Sequence, residues 1–307
     1  MISKTAVNPK SFHQNMYYYH RARDAFSQIL RAVPSETVVL LPAYIGFSER
    51  EGSGVFDPVA SSGLSYEFYG LDQMLRIDLS SFTDACKRNQ GNALVLLIHY
   101  FGYVDPQYQK AVEIANQYRC SIVEDCAHAF FTAIHDGLCG GTCGIYSLHK
   151  MFPFDDGGML VLSDENEDFK DIGLHSEAET YELMSYRFRD ISERRKENAR
   201  IWENCLQGMP GITILRPESL YAGQTPQTFP ILLSNADRNE FYFEMNRRGF
   251  GVVSLYHTMI APIQHGNWPD SAFVANHITN LPVHQDVTEE MIVEMYGVMK
   301  LVLEGNV

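Results

Sequence analysis

Residues 93–98 read Ala-Leu-Val-Leu-Leu-Ile, an unbroken apolar run too short to span a bilayer. Similar short runs recur through the first half of the chain: Val38-Val39-Leu40-Leu41 leading into Pro42, the alternating segment 64–69, and Ser121-Ile122-Val123. Between them, residues 21–33, 81–88 and 107–118 carry apolar side chains at helical spacing. Strands that are apolar on both faces and alternate with helices predict an α/β fold, a mainly parallel sheet with helices on both faces. Two further runs, 145–148 and 159–162, have an Asp-Gly-Gly turn and no helix between them, so they are expected to be adjacent strands joined by a loop.

The second half has a different texture. Acidic residues gather at 164–168, and a charged helix is expected over 190–206. A strand follows near 229–233, then a helix with a capping pattern at Ser234 and Asp237 that ends before Gly249. A last helix is expected to start near Thr288, with Glu289 and Glu290 in its first turn. We therefore expect a large α/β domain over residues 1–175 and a smaller α+β C-terminal domain over 176–307.

At 307 residues the chain is long enough to bury its core without disulfide staples. A formal charge of −14 argues against a nucleic-acid binder or an anionic-membrane binder. It leaves room for a small anionic ligand, which needs only a local cradle. Six cysteines without CxxC spacing, and a start that lacks an apolar signal region, suggest reduced thiols in a cytoplasmic protein. Cys139 to Cys143 with His135 and His149 does not follow a metal-site spacing, and no metal is expected. Tyr17-Tyr18-Tyr19 is taken as core packing, and the basic run from Arg187 to Arg200, interleaved with acids, as a solvated helix face.

Ligands of open α/β sheets collect at the carboxyl ends of strands, where three chemically loaded stretches fall: 42–48, 124–128 and 147–150. A carboxylate leaving a buried strand, as in Glu124-Asp125, either caps a turn or pairs with a cation. Lys150, set among Met and Phe after an apolar run, is either a snorkelling surface lysine or a desolvated amine able to condense with a carbonyl. A strand-end acid, a strand-end lysine and a nearby serine together match what pyridoxal 5'-phosphate requires of a protein.

Glu124-Asp125-Cys126-Ala127-His128-Ala129, Ser147-Leu148-His149-Lys150, Asp156-Gly157-Gly158 and Leu281-Pro282-Val283-His284 resemble the DegT/DnrJ/StrS sugar aminotransferases, fold-type-I pyridoxal-phosphate enzymes. The stretch His99 to Gly102 also fits. The resemblance implies that Lys150 is the Schiff-base lysine, that Asp125 pairs with the pyridine nitrogen, that His128 lies beside the cofactor, and that Ser147 contacts its phosphate. It sets Arg23 on a phosphate-loop threonine, and an arginine still binds phosphate there. The family's ring-stacking aromatic falls on Gly46, which leaves Tyr44 or Phe47 as substitutes. The implied activity is transfer of an amino group from an amino acid, L-glutamate by analogy, to a nucleotide-linked keto-sugar, in a homodimer with shared active sites.

Three features depart from the family's pattern. Lys150 follows Ser147 by three residues where the family has Ser-Phe-His-x-x-Lys, no Gly-x-Asn-x-Arg-Met motif occurs, and Tyr256-His257-Thr258 replaces His-Tyr-Pro. Two alternatives stay open at this point. If His149 held the catalytic position, the chain would be a dehydratase on the same scaffold; a degenerate member would bind the cofactor without catalysis.

Overall fold

The computed structural model describes residues 16–135, 143–162, 183 and 185–304. Two sheets organise these residues. The first has seven strands: β1 (Met16–Tyr19), β2 (Val38–Pro42), β3 (Ser65–Tyr69), β4 (Ala93–Ile98), β5 (Ser121–Asp125), β6 (Cys143–Ser147) and β7 (Gly158–Leu162). They lie in the order β1-β7-β6-β5-β4-β2-β3. The block from β3 to β6 is parallel, and β7 runs antiparallel to both of its neighbours. All six residues of β4, at the centre, are buried, as a strand covered on both faces requires.

The expected α/β class therefore holds, with helices α1 (Ala22–Ala32), α2 (Phe56–Ser62), α3 (Leu79–Arg88) and α4 (Tyr108–Gln117) between the strands. The two runs separated by Asp-Gly-Gly form the expected adjacent pair, β6 and β7, with Ser147 opposite Gly158. The tyrosine run is not a bare packing segment but β1 itself, paired to β7 through Tyr19 and Gly158, with Tyr18 and Tyr19 buried.

The second sheet is antiparallel, with β9 (Thr228–Leu233) between β8 (Ile212–Ile214) and β10 (Ile278–Pro282). Helices α5 (Phe188–Leu206), α6 (Arg238–Arg247), α7 (Pro269–His277) and α8 (Glu289–Leu303) accompany it. Its core gathers Trp202, Phe229, Phe241, Met245, Leu281 and Met295. Asp237, not Ser234, caps α6, accepting the Glu240 N–H at 2.8 Å, and Thr288 caps α8. The Leu281-Pro282-Val283-His284 stretch docks α5: Trp202 Nε1 donates to the Pro282 carbonyl at 2.9 Å and Asn198 Nδ2 to that of His284 at 2.9 Å. On α5 the basic run is not wholly solvated. Arg195 is buried, bonded to Gln285 Oε1 at 3.0 Å, and burial pushes its guanidinium down to about 10. The expected boundary at 175/176 and the acids at 164–168 lie outside the described residues. No described helix is long and apolar enough to cross a membrane.

The topology decides where α1 begins. Because β7 is antiparallel, its first residue lies at the edge where β5 and β6 end, and the end of β1 pairs with it there. The chain turns straight from β1 into α1, whose amino end is thereby delivered to that same edge. Gly157 and Gly158 admit it. The Gly157 N–H donates to the His20 carbonyl at 2.7 Å from a φ of 139°, which side-chain-bearing residues rarely adopt. A Cβ on Gly158 would overlap the backbone C and O of Arg21 and lie 2.5 Å from Ala22 N. Gly158→Val is therefore expected to destabilise the protein by about 1–3 kcal/mol or more, since backbone rather than a flexible side chain has to move. Urea unfolding checks this; a wild-type midpoint in the variant would contradict the close approach.

Candidate active site

A cavity of about 240 Å³ opens at the carboxyl edge of the large sheet. Its wall combines the start of α1 (Arg21, Ala22, Arg23), the exit of β2 (Ile45, Gly46), residues 51–55, the ends of β5 and β6 (Asp125, Ala127, Ile145, Ser147), His149, Lys150, Asp155, Asp156 and Tyr256. Of the expected site residues, Lys150, Asp125, Ser147 and Arg23 meet in it. His128 lies directly behind, its Nε2 3.1 Å from Lys150 Nζ.

Asp125 is the last residue of β5 and is buried. Its Oδ1 accepts the Ala127 N–H at 2.9 Å, a turn that brings Ala127 to the wall, and its other oxygen takes no hydrogen bond among the described residues. Burial raises its pKa; the Lys150 ammonium, the Ala127 N–H and His99 hold it back. Behind it, Glu124 is wholly buried and bonded through one oxygen to His99 Nε2 at 2.8 Å and through the other to the Tyr108 hydroxyl at 2.7 Å. Consecutive carboxylates on one strand thus face opposite sides of the sheet, as the two-residue period demands. One is spent on a buried network and the other on the cavity.

Lys150 closes a single helical turn, Leu148–Lys150, that starts at Ser147. The surface it exposes faces the cavity, and the protein around it desolvates the amine. That lowers its pKa, against the opposing pull of Asp125 and Glu51. His149 lies on the same wall: its ring approaches Ser147 Oγ at 3.4 Å, and burial followed by Lys150 lowers its pKa. The tighter Ser147-to-Lys150 spacing is thus absorbed by one turn. The amino end of α1, Arg23 and Ser147 meet on the same wall, a set of donors suited to an anion, with Arg23 3.8 Å from Asp57.

The expected stacking residues do not take part. Tyr44 is fully buried, and its backbone carbonyl accepts the Tyr100 hydroxyl; Phe47 is exposed; neither lines the cavity. One residue past a strand end faces the core and the other faces solvent. The ring on the wall belongs to Tyr256, which sequence reasoning missed along with Arg21 and Glu51. Tyr256 has a φ of 61°, a left-handed conformation that costs a side-chain-bearing residue about 1–2 kcal/mol. No residue type in its neighbourhood signals this, although Arg21 is adjacent to the expected Arg23.

The residues fit pyridoxal phosphate: an acid at the base, an amine with depressed basicity beside it, and a helix-end cradle for a phosphate. A seven-stranded sheet of this order, with such a site at its carboxyl edge, defines the pyridoxal-phosphate-dependent transferase fold of type I. The model of the DegT/DnrJ/EryC1/StrS aminotransferase family matches residues 54–180 of the chain. It is 23% identical over 227 residues to a dTDP-4-amino-4,6-dideoxy-D-glucose transaminase of Escherichia coli, a match that spans 62% of this chain and 61% of that relative. Among solved structures, an aminotransferase of Streptoalloteichus hindustanus superposes with a TM-score of 0.76 at 20% identity, over 97% of this chain and 90% of its own. An Escherichia coli GDP-4-keto-6-deoxy-D-mannose-3-dehydratase with bound hydrated PLP superposes with a TM-score of 0.75 at 14% identity, over 96% and 92%.

Burial, then Lys150, holds the His128 imidazole well below its ordinary 6.5. A base whose pKa is lower folded than unfolded takes up a proton on unfolding, so stability falls as pH drops below the unfolded value. Relative to His128→Gln, the wild type should therefore lose urea resistance between about pH 7.5 and about pH 5. A pH-independent difference between the two would contradict a neutral buried His128.

Proposed function

We propose that the chain is a pyridoxal-phosphate-dependent aminotransferase that moves an amino group from an amino acid, L-glutamate by family analogy, to a nucleotide-linked keto-sugar. The observation that carries this reading is that Lys150 and Asp125 line one cavity, each acting on the charge of the other. When bound, pyridoxal phosphate supplies an electron-accepting ring that stabilises negative charge on the substrate carbon. Asp125 holds a proton at the base of the cavity, where its carboxylate has an unfilled oxygen. Ser147, Arg23 and the amino end of α1 hold the phosphate.

Lys150 is the nucleophile and the general base. A desolvated amine spends more time neutral near pH 7 than a surface lysine does, and only the neutral form takes a proton from carbon. His128 Nε2, held neutral, fixes Nζ by a hydrogen bond and directs it toward the cavity. Among the described residues it is Lys150, not His149, that bonds to His128 and sits in the field of Asp125. This supports transamination over the histidine-based dehydratase reading, which the fold alone leaves open. We further propose a homodimer, by family analogy, working in the cytoplasm; the thiols of Cys86, Cys120, Cys143 and Cys205 are consistent with a reducing compartment.

Purified protein given pyridoxal phosphate should form a borohydride-reducible adduct that maps to Lys150 and is absent from Lys150→Ala. Glutamate should then convert the cofactor to its amine form in the wild type. Tight binding without a reducible link would overturn the assignment in favour of the dehydratase. Asp125→Asn should keep the adduct but slow the glutamate half-reaction by about a hundred-fold or more, read by stopped-flow absorbance; an unchanged rate would remove Asp125 from the site.

A further inference from the structure

Gly46 follows β2 on the cavity wall. A Cβ built on it would overlap Cδ1 of Tyr256 and lie 3.1 Å from Cε1 and 3.3 Å from Cγ. The Tyr256 ring therefore fills the space that any side chain at position 46 would enter. Its placement is determined from several directions. The Phe47 N–H donates to the Thr258 carbonyl at 2.9 Å and the Ile260 N–H to the Ile45 carbonyl at 3.0 Å, so the segment carrying Tyr256 is laced to the exit of β2. Ring centroids of Tyr44, Tyr100, Phe101 and His128 lie 5.6, 5.7, 6.1 and 5.7 Å from that of Tyr256 and back it on the protein side. It contributes the one phenolic ring to the cavity wall among the described residues, which it shares with Asp125, Ala127 and Lys150.

We propose that Tyr256 supplies the aromatic face for the cofactor ring, in place of a side chain on the β2 exit, and that position 46 is glycine because the Tyr256 ring needs its space. This rests on the pyridoxal-phosphate reading above. A flat, electron-poor ring held between an acid and an amine is bound more tightly against a fixed aromatic face than against water. The left-handed backbone at residue 256 is the conformational strain that accompanies this placement. The two halves of the contact lie far apart in sequence, so a side chain lost at one position is replaced at the other.

The test measures pyridoxal-phosphate affinity by equilibrium dialysis and the induced circular dichroism of the bound cofactor, in the wild type and four variants. Tyr256→Ala should weaken binding by about ten-fold and diminish the induced band. Tyr256→Phe should bind within about two-fold of the wild type, because the face and not the hydroxyl is at work. Gly46→Phe alone should bind poorly, since its ring meets that of Tyr256, and Gly46→Phe with Tyr256→Ala should recover affinity and dichroism beyond Tyr256→Ala. Wild-type affinity and dichroism in Tyr256→Ala would overturn the inference, as would a Tyr256→Phe variant as weak as Tyr256→Ala, or a double variant no better than Tyr256→Ala. These outcomes are separable from failure of the underlying reading. A wild type that forms no adduct at Lys150 defeats that reading and the inference with it, whereas a wild-type adduct with an unaffected Tyr256→Ala defeats the inference alone.

Discussion

A carboxylate and an amine, neither comfortable out of water, are brought together at the end of β5. Burial drives Asp125 and Lys150 each toward neutrality, and each opposes that drift in the other. Much of the surrounding structure serves this balance. The Ala127 N–H and His99 favour the charged carboxylate, while His128 occupies Lys150 without adding a charge. Glu124, one residue earlier, is kept away from the amine by its bonds to His99 and Tyr108.

The elements that could be read from the chain are those in which local pattern and tertiary environment agree. Residues 93–98 are a strand in both, because six consecutive apolar residues have only a doubly covered central position to go to. That Asp125, Ser147 and Lys150 would gather on one wall was legible because a charged or hydroxylated residue at the end of an apolar run is conspicuous. β1 was not, since three tyrosines fit a strand, a helix face or a packing plug equally well until Gly158 gives them a partner. Tyr44 and Phe47 do not line the cavity for a related reason. The direction of a side chain just beyond a strand depends on what packs there, and what packs there is residue 256, from the far side of the fold. Asp237 rather than Ser234 caps α6 because the cap must lie at the residue before the first helical turn, which composition alone leaves uncertain by a few positions.

Structures of this fold at under 25% identity include both an aminotransferase and a dehydratase, so architecture by itself does not choose the reaction. The helical turn after β6 carries both His149 and Lys150 onto the cavity wall, His149 3.4 Å from Ser147 Oγ and Lys150 3.1 Å from His128 Nε2.

The pairing of β1 with β7 also governs the order in which the molecule can assemble. The chain's first described strand waits for its seventh, and α1 cannot seat its amino end until Gly157 and Gly158 have left the ribosome. The parallel strands β2 to β5 can form a partial sheet earlier, but one side of the cavity stays open throughout. Such non-local closure is slow. It means that a nascent chain can own its acid and still lack the cradle opposite, so competence for the small anionic ligand arrives in a late step of biogenesis rather than accruing with each strand.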